Sequence, residues 1–165
     1  MRKTIIGVMG GCSVDSATTD NAYQIGRLIA DNGWVLLNGG RPEGVMDASA
    51  KGCRDGGGLS VGVLFDGTQE DASPHLDLVL PTAMGAARNI INVLSSDVVV
   101  ACQGSGGTLS EIALALRFER PVVLLDFDPG AAFLDACGTG QWYLAATPDD
   151  AAARIKLLLA EKGRS

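Results

Sequence analysis

The chain has few of the residues that build metal sites. It contains one histidine, at position 75, and four cysteines, at positions 12, 53, 102 and 137. The cysteines are widely spaced and form no Cys-x-x-Cys pair of the kind that structural zinc sites use. We therefore expect no metal site. We also expect Cys102, which follows a run of valines, to be a small core residue.

Charge is scarce too, and its balance is acidic. Charged residues make up 19% of the 165 positions, and the formal net charge is −6. A nucleic-acid surface usually needs a basic stripe, so we expect no nucleic-acid partner. Beside 47% apolar residues, so little charge favours a subunit that buries part of its surface against copies of itself. A homodimer or homotetramer is therefore expected.

Long apolar runs are absent as well. Each stops far short of the ~18 residues that cross a membrane, and the first segment reaches Gly7 too soon for a signal peptide. These features favour a cytoplasmic location and no membrane partner. The length favours a single domain over residues 1–165 with a full core.

The chain instead shows a regular alternation of two patterns. Apolar runs predict strands at residues 4–9, 34–37, 59–64, 76–80, 98–102, 122–125 and 142–145. Helical patterns occupy about 18–32, 44–55 and 85–95, a stretch from Thr108, and a stretch from Pro148 that Thr147 caps. This order predicts an α/β, three-layer Rossmann-like fold with a mostly parallel sheet of about seven strands.

Two finer expectations follow from the same patterns. Residues 66–74 and 127–141 show neither periodicity and are expected to be irregular. The helix at 85–95 is expected to bury Ala87, Ile90, Ile91 and Leu94, which share one helical stripe.

Glycine-rich turns follow three of the predicted strands: Gly10-Gly11-Cys12-Ser13, Asn38-Gly39-Gly40-Arg41-Pro42-Glu43-Gly44 and Gly104-Ser105-Gly106-Gly107. Each alone could be a plain tight turn, but ligands of open parallel sheets bind at the carboxyl ends of the strands. The third turn opens onto a helix, whose free N–H groups suit a phosphate or carboxylate. The dinucleotide fingerprint GxGxxG is absent, so a standard NAD site is not expected.

Several side chains near these turns have two interpretations each. Arg88 falls in the first turn of its predicted helix, where a cation meets the helix dipole unfavourably. An anionic ligand would explain it, and the alternative is a solvated surface arginine. Arg41 has the same two interpretations. Thr108-Leu109-Ser110-Glu111 fits a capping box, in which Glu111 bonds the backbone of Thr108. The alternative is that Glu111 faces a ligand.

Three segments carry a resemblance to a known family. They are Gly-Gly-x-x-x-Gly-Val-Met at 39–46, Met84-Gly85-Ala86-Ala87-Arg88-Asn89, and Gly-Ser-Gly-Gly-Thr-x-x-Glu at 104–111. In order and spacing, over about residues 4–126, the chain resembles the Lonely Guy superfamily of Rossmann-like proteins, long misnamed lysine decarboxylases. The turns and the resemblance together give the candidate ligand-binding residues Gly10, Gly11, Cys12, Ser13, Gly39, Gly40, Arg41, Met84, Arg88, Asn89, Gly104, Ser105, Gly106, Gly107, Thr108 and Glu111.

The enzymes of that superfamily remove the base from cytokinin nucleoside monophosphates, with the signature Pro-Gly-Gly-x-Gly-Thr-x-Glu-Glu and an upstream Arg-Lys pair. This chain departs from the signature at Asn89, Gln103, Ser105 and Ser110. One carboxylate and one cation are thereby lost, and cleavage of an N-glycosidic bond usually relies on carboxylates. If the chain is an enzyme, the resemblance makes Arg88 and Glu111 its catalytic residues.

The short length, the Arg88-Asn89 pair and the single glutamate are similar to the branch that includes the molybdenum cofactor carrier proteins. That resemblance implies a binding protein for the molybdenum cofactor, or for another phosphorylated heterocycle, with no further cofactor required. The alternative is a nucleoside 5′-monophosphate phosphoribohydrolase, with a nucleoside monophosphate as its ligand. A nucleotide-sensing domain of a larger assembly is a third, weaker interpretation.

Overall fold

The architecture is a seven-stranded parallel sheet with helices on both faces. The computed structural model describes residues 2–163, and in this range the sheet order is β4-β3-β2-β1-β5-β6-β7. The strands are β1 Ile5–Met9, β2 Val35–Asn38, β3 Leu59–Leu64, β4 Leu78–Pro81, β5 Val98–Ala101, β6 Val122–Leu125 and β7 Trp142–Ala145. All six neighbouring pairs run parallel. The predicted Rossmann-like sheet is confirmed.

The helices alternate with these strands along the chain. They are α1 Ser16–Asp31, α2 Gly44–Asp55, α3 Asn89–Ser95, α4 Gly106–Arg117, α5 Ala131–Cys137 and α6 Pro148–Lys162, with a 3₁₀ turn at Gly85–Arg88 just before α3. Among residues 2–163, none of the helices is both long enough and apolar enough to cross a membrane.

Two hydrophobic cores lie on opposite faces of the sheet because successive strand residues point to opposite sides. Ile6 and Val8 of β1 pack with α1, α2 and α6, whereas Met9 packs with α3, α4 and α5. The strand order reverses at β1, which pairs with β2 on one side and β5 on the other. In such sheets, this reversal opens a crevice at the carboxyl ends of the strands.

The predicted helix starts were only partly right. Thr147 caps α6 as expected, accepting a hydrogen bond from the Asp150 N–H at 3.2 Å. The first helix begins earlier than predicted, at Ser16, because the Asp15 carboxylate accepts a hydrogen bond from the Thr18 N–H at 2.8 Å. Part of the segment expected to be irregular forms α5, which buries only Leu134. One buried residue leaves too little apolar periodicity to predict a helix.

The predicted buried face of residues 85–95 was only partly right, because Ile90 and Ile91 are half-buried. Ala87 is exposed and Leu94 is 43% exposed, while Arg88, Asn92 and Val93 are buried. The segment begins with a 3₁₀ turn and continues as α3. A 3₁₀ turn has 3.0 residues per turn, whereas an α-helix has 3.6. The side chains in and after the turn therefore point in other directions than in the continuous α-helix that the pattern predicted. Polar residues consequently face the interior.

Close packing of α1 on α2 gives a test of the fold. A Cβ at Gly52 would overlap the carbonyl oxygen of Tyr23, and backbone atoms cannot move aside as side chains do. We expect Gly52→Ala to lower the free energy of unfolding by about 1–3 kcal/mol, although alanine favours helices. Urea unfolding measures the change. The matched control is Gly163→Ala, where the nearest atom is 3.7 Å away and the change should stay within about 0.5 kcal/mol. Equal midpoints for the two variants would contradict this packing.

Candidate functional site

The turns after β1, β2 and β5 lie against one another at the carboxyl edge of the sheet. The Gly11 N–H donates to the Gln103 carbonyl at 3.0 Å, and the Val45 N–H donates to the Gly11 carbonyl at 3.0 Å. A Cβ at Gly11 would lie 3.1 Å from the Cα of Gly104. The chain crosses itself here so closely that side chains are excluded, which leaves backbone groups at the surface of the crevice.

A cavity of about 160 Å³ opens where the turns meet. Most of the candidate residues line it: Gly10, Gly11, Cys12, Gly39, Arg88, Asn89, Ser105, Gly107, Thr108 and Glu111. Val8, Met9 and Met46 also line it and were missed. Met46 ends the Gly-Val-Met segment used for the family resemblance, so its position carried a signal. The two β1 residues resembled ordinary strand residues.

The other candidates lie outside the cavity. Ser13 faces a neighbouring groove, and Met84 is 47% exposed. Arg41 forms ion pairs with Asp66 at 2.9 Å and Asp71 at 3.2 Å. It therefore already has anionic partners within the chain.

Among the glycines outside the cavity, Gly104 has a structural reason to be glycine, because a Cβ there would overlap the Thr108 hydroxyl. Gly40 has a φ of +80°, a backbone conformation that favours glycine. Gly106 begins α4 with open space where a Cβ would stand.

The fourth helix begins at Gly106, not at the predicted Thr108. Ser105 occupies the cap position, and its side chain makes no capping hydrogen bond. The first N–H groups of a helix have no partner within the helix, so those of the first turn of α4 remain available. Gly107 and Thr108 of this turn line the cavity. The cavity therefore holds an uncapped, partially positive helix end, which suits an anion.

The capping-box interpretation of Glu111 is wrong. Glu111 is 6% exposed, and its Oε1 accepts a hydrogen bond from Nδ2 of Asn92 at 2.9 Å. Thr108 lies inside the helix, not at its cap. Burial raises the pKa of Glu111 to about 7, despite the opposing effects of Asn92 and Arg88. A carboxyl group that titrates near neutral pH thus lines the cavity.

Arg88 is the cation of the cavity, and the solvated-arginine interpretation is wrong. The residue is 8% exposed, and its Nε has no hydrogen-bond partner. Its Nη1 lies 3.9 Å from Oε1 of Glu111, too far for a hydrogen bond. Burial lowers the pKa of Arg88, although Glu111 opposes this. A buried guanidinium with unused donors is costly unless an acceptor arrives.

Gly39 makes room for this guanidinium. A Cβ at Gly39 would lie 2.6 Å from Nη1 of Arg88. The glycine of the second turn therefore leaves the space that the cation occupies, and residues of the first and third turns line the same cavity.

Two further carboxylates near the turns, Asp15 and Glu43, lie outside the cavity. Asp15 caps α1, and Glu43 borders the neighbouring groove. Glu111 is the carboxylate that remains among the residues lining the cavity. Residues 2–163 contain no group of three or more His, Cys, Asp or Glu placed to hold a metal ion. The arrangement can hold an anion with backbone donors and one arginine, beside one proton-exchanging carboxyl group.

Known proteins share this arrangement of strands and turns. The model of the SLOG cluster4 family matches residues 3–152. The chain belongs to this family. A protein of Archaeoglobus fulgidus described as uncharacterized is 44% identical over 125 residues, which cover 76% of this chain and 82% of that protein.

Solved structures place this family member beside molybdenum cofactor proteins. The molybdenum cofactor binding protein of Rippkaea orientalis is 44% identical, with a TM-score of 0.91 over 96% of this chain and 99% of that one. The molybdenum cofactor carrier protein of Chlamydomonas reinhardtii is 42% identical, with a TM-score of 0.89 and the same coverage. The resemblance to the Lonely Guy-like Rossmann fold, and to its cofactor-carrier branch, is confirmed.

The pKa of Glu111 predicts a pH-dependent stability. A carboxyl with a pKa of about 7 in the folded chain and 4.5 as its ordinary value binds its proton more tightly when folded. The free energy of unfolding should therefore fall as pH rises from about 5 to 8, by up to about 3 kcal/mol. Glu111→Gln should remove this fall. Urea unfolding of both proteins across this range gives the comparison, and parallel pH profiles would show that Glu111 titrates normally.

Proposed function

We propose that this chain binds the molybdenum cofactor, or a closely similar pterin phosphate, as cargo and does not transform it. The observation that carries the proposal is the buried Arg88, whose Nε lacks a partner, beside the uncapped start of α4. Both features offer donors to one cavity. Similarity to cofactor-binding proteins over 96% of the chain supports the nature of the cargo.

The cavity fits the phosphate end of such a molecule. Its volume of about 160 Å³ is below the roughly 300–1,000 Å³ of pockets that enclose a whole drug-sized ligand. Arg88 and the N–H groups of Gly107 and Thr108 would hold the phosphate, and the heterocycle would lie outside this cavity. The molybdenum arrives already bound to the pterin, so the protein needs no metal-binding cluster of its own.

The carboxyl groups of the cavity favour a carrier function over hydrolysis of a glycosidic bond. Most glycosidases use two carboxyl groups, one as an acid and one as a base or nucleophile, whereas Glu111 is the one carboxyl among the residues that line this cavity. Asn92 already donates to it at 2.9 Å. The cytoplasmic location, the homo-oligomer and the absence of nucleic-acid partners remain predictions from the sequence.

Two substitutions test the cargo site. In Gly107→Val, the new side chain enters open space in the cavity and should abolish cargo retention without a clash. Arg88→Ala removes the charged donors and should weaken binding by about 10- to 100-fold, because a hydrogen bond to a charged group contributes about 1.5–3 kcal/mol. Mass spectrometry of the co-purified cargo, followed by reconstitution, measures both effects.

The matched controls are Gly67→Val and Arg117→Ala, which lie outside the cavity. They should retain the parent's cargo. Retention by Gly107→Val equal to that of the parent would show that the cargo lies elsewhere.

A second experiment separates carrier from enzyme. We expect no release of base from AMP or from an isopentenyl-AMP-type substrate, because the cavity lacks a carboxyl pair. Binding of the phosphorylated molecule should persist in Glu111→Gln. Multiple-turnover release of base by the parent, lost in Glu111→Gln, would replace the carrier proposal with the phosphoribohydrolase.

A further inference from the structure

A carboxyl group is an unusual component of an anion site. Glu111 lines the same cavity as Arg88 and the start of α4, and its side chain is 8% exposed. Its Oε1 is held by Asn92 at 2.9 Å, whereas no hydrogen bond from residues 2–163 reaches its Oε2. One carboxyl oxygen is therefore fixed, and the other has no donor.

Few other charges surround this carboxyl. The ionisable residues that line the cavity are Cys12, Arg88 and Glu111. The elements packed around α4 add little, because α3, β5 and β6 contain no charged residue. Asp135 of α5 is exposed and accepts a hydrogen bond from the Trp142 indole at 3.0 Å. Arg88 is thus the single cation among the residues that line the cavity.

One cation cannot balance both a phosphate and a carboxylate. A phosphate monoester carries nearly two negative charges at neutral pH, and an ionised Glu111 would add a third. Like charges in one buried site do not all ionise, and such groups instead share a proton. Glu111 is the group placed to hold that proton, since burial already brings its pKa to about 7.

We propose that Glu111 couples anion binding to proton uptake: the cavity accepts a phosphate monoester together with one proton, which the carboxyl shares with a phosphate oxygen. This inference rests on the proposed function, because it assumes that the cargo phosphate occupies this cavity. It adds that the affinity for the cargo falls as pH rises above neutrality.

The test uses ribose 5-phosphate, whose phosphate is almost fully dianionic at about pH 8 because its second pKa is near 6. Isothermal titration calorimetry of the parent at pH 8, in two buffers of different ionisation enthalpy, measures protons taken up per molecule bound. We expect about one proton. Between pH 8 and 9 the affinity should fall about tenfold per pH unit.

Variants separate this role from a merely structural one. Glu111→Gln supplies a permanent N–H donor, so it should bind with no proton uptake and should exceed the affinity of the parent at pH 9. Apart from Glu111 and Arg88, Cys12 is the ionisable residue that lines the cavity. Cys12→Ser should keep the parent's dependence of affinity on pH. Glu70→Gln, at an exposed position, is the matched control and should behave as the parent does.

The outcomes distinguish this inference from the proposal on which it rests. Binding by the parent with no proton uptake and a flat pH profile would overturn the role of Glu111 and leave the carrier proposal standing. If the parent does not bind ribose 5-phosphate at any pH from 6.5 to 9, the cavity is not a phosphate site and both fail. The proton count comes from the unsubstituted protein, so it decides the question even where a variant does not fold.

Discussion

The close contact between the turn after β1 and the turn after β5 determines the shape of the whole site. Gly11 donates to the carbonyl of Gln103 at 3.0 Å, and Gly104 lies directly against both Gly11 and Thr108. Parallel neighbours β1 and β5 bring these turns to the same edge, and the absence of side chains lets them touch. The resulting cavity is lined by backbone N–H groups, by the uncapped start of α4 and by Arg88.

The residues that line this cavity lower the stability of the fold. Burying Arg88 without an acceptor for its Nε, and Glu111 with a strongly raised pKa, works against folding. Such groups persist when a ligand makes use of them. The formal net charge of −6 repels anions at a distance, so the proposed binding of an anionic cargo depends on these local donors.

Membership in the SLOG cluster4 family and the high similarity to molybdenum cofactor proteins agree with this local chemistry. Two of the four departures from the Lonely Guy enzyme signature, Asn89 and Ser105, line the same cavity. Ser105 forms the helix cap without using its side chain, and Asn89 donates to the hydroxyl of Ser110 at 3.0 Å. At the positions where the enzymes carry a lysine and a further glutamate, this chain has two neutral side chains that bond to each other.

The sequence by itself determined the sheet and the location of the turns. Local patterns, such as the valine run before Gly104, are enough to predict the strands and the glycine turns. No contact with a distant part of the chain is needed to recognise them. It did not determine the role of Glu111, because Thr108 to Glu111 satisfies the pattern of a capping box equally well. Only the contact with Asn92, 19 positions away, showed that the carboxyl does not cap the helix, and only the meeting of the turns placed it in the lining of the cavity. Likewise, only the 3₁₀ turn at Gly85–Arg88, which local patterns did not predict, turned Arg88 inward and Ala87 outward. Tertiary structure decided these points because the phase of a short helix and the partner of a buried charge depend on what packs against them.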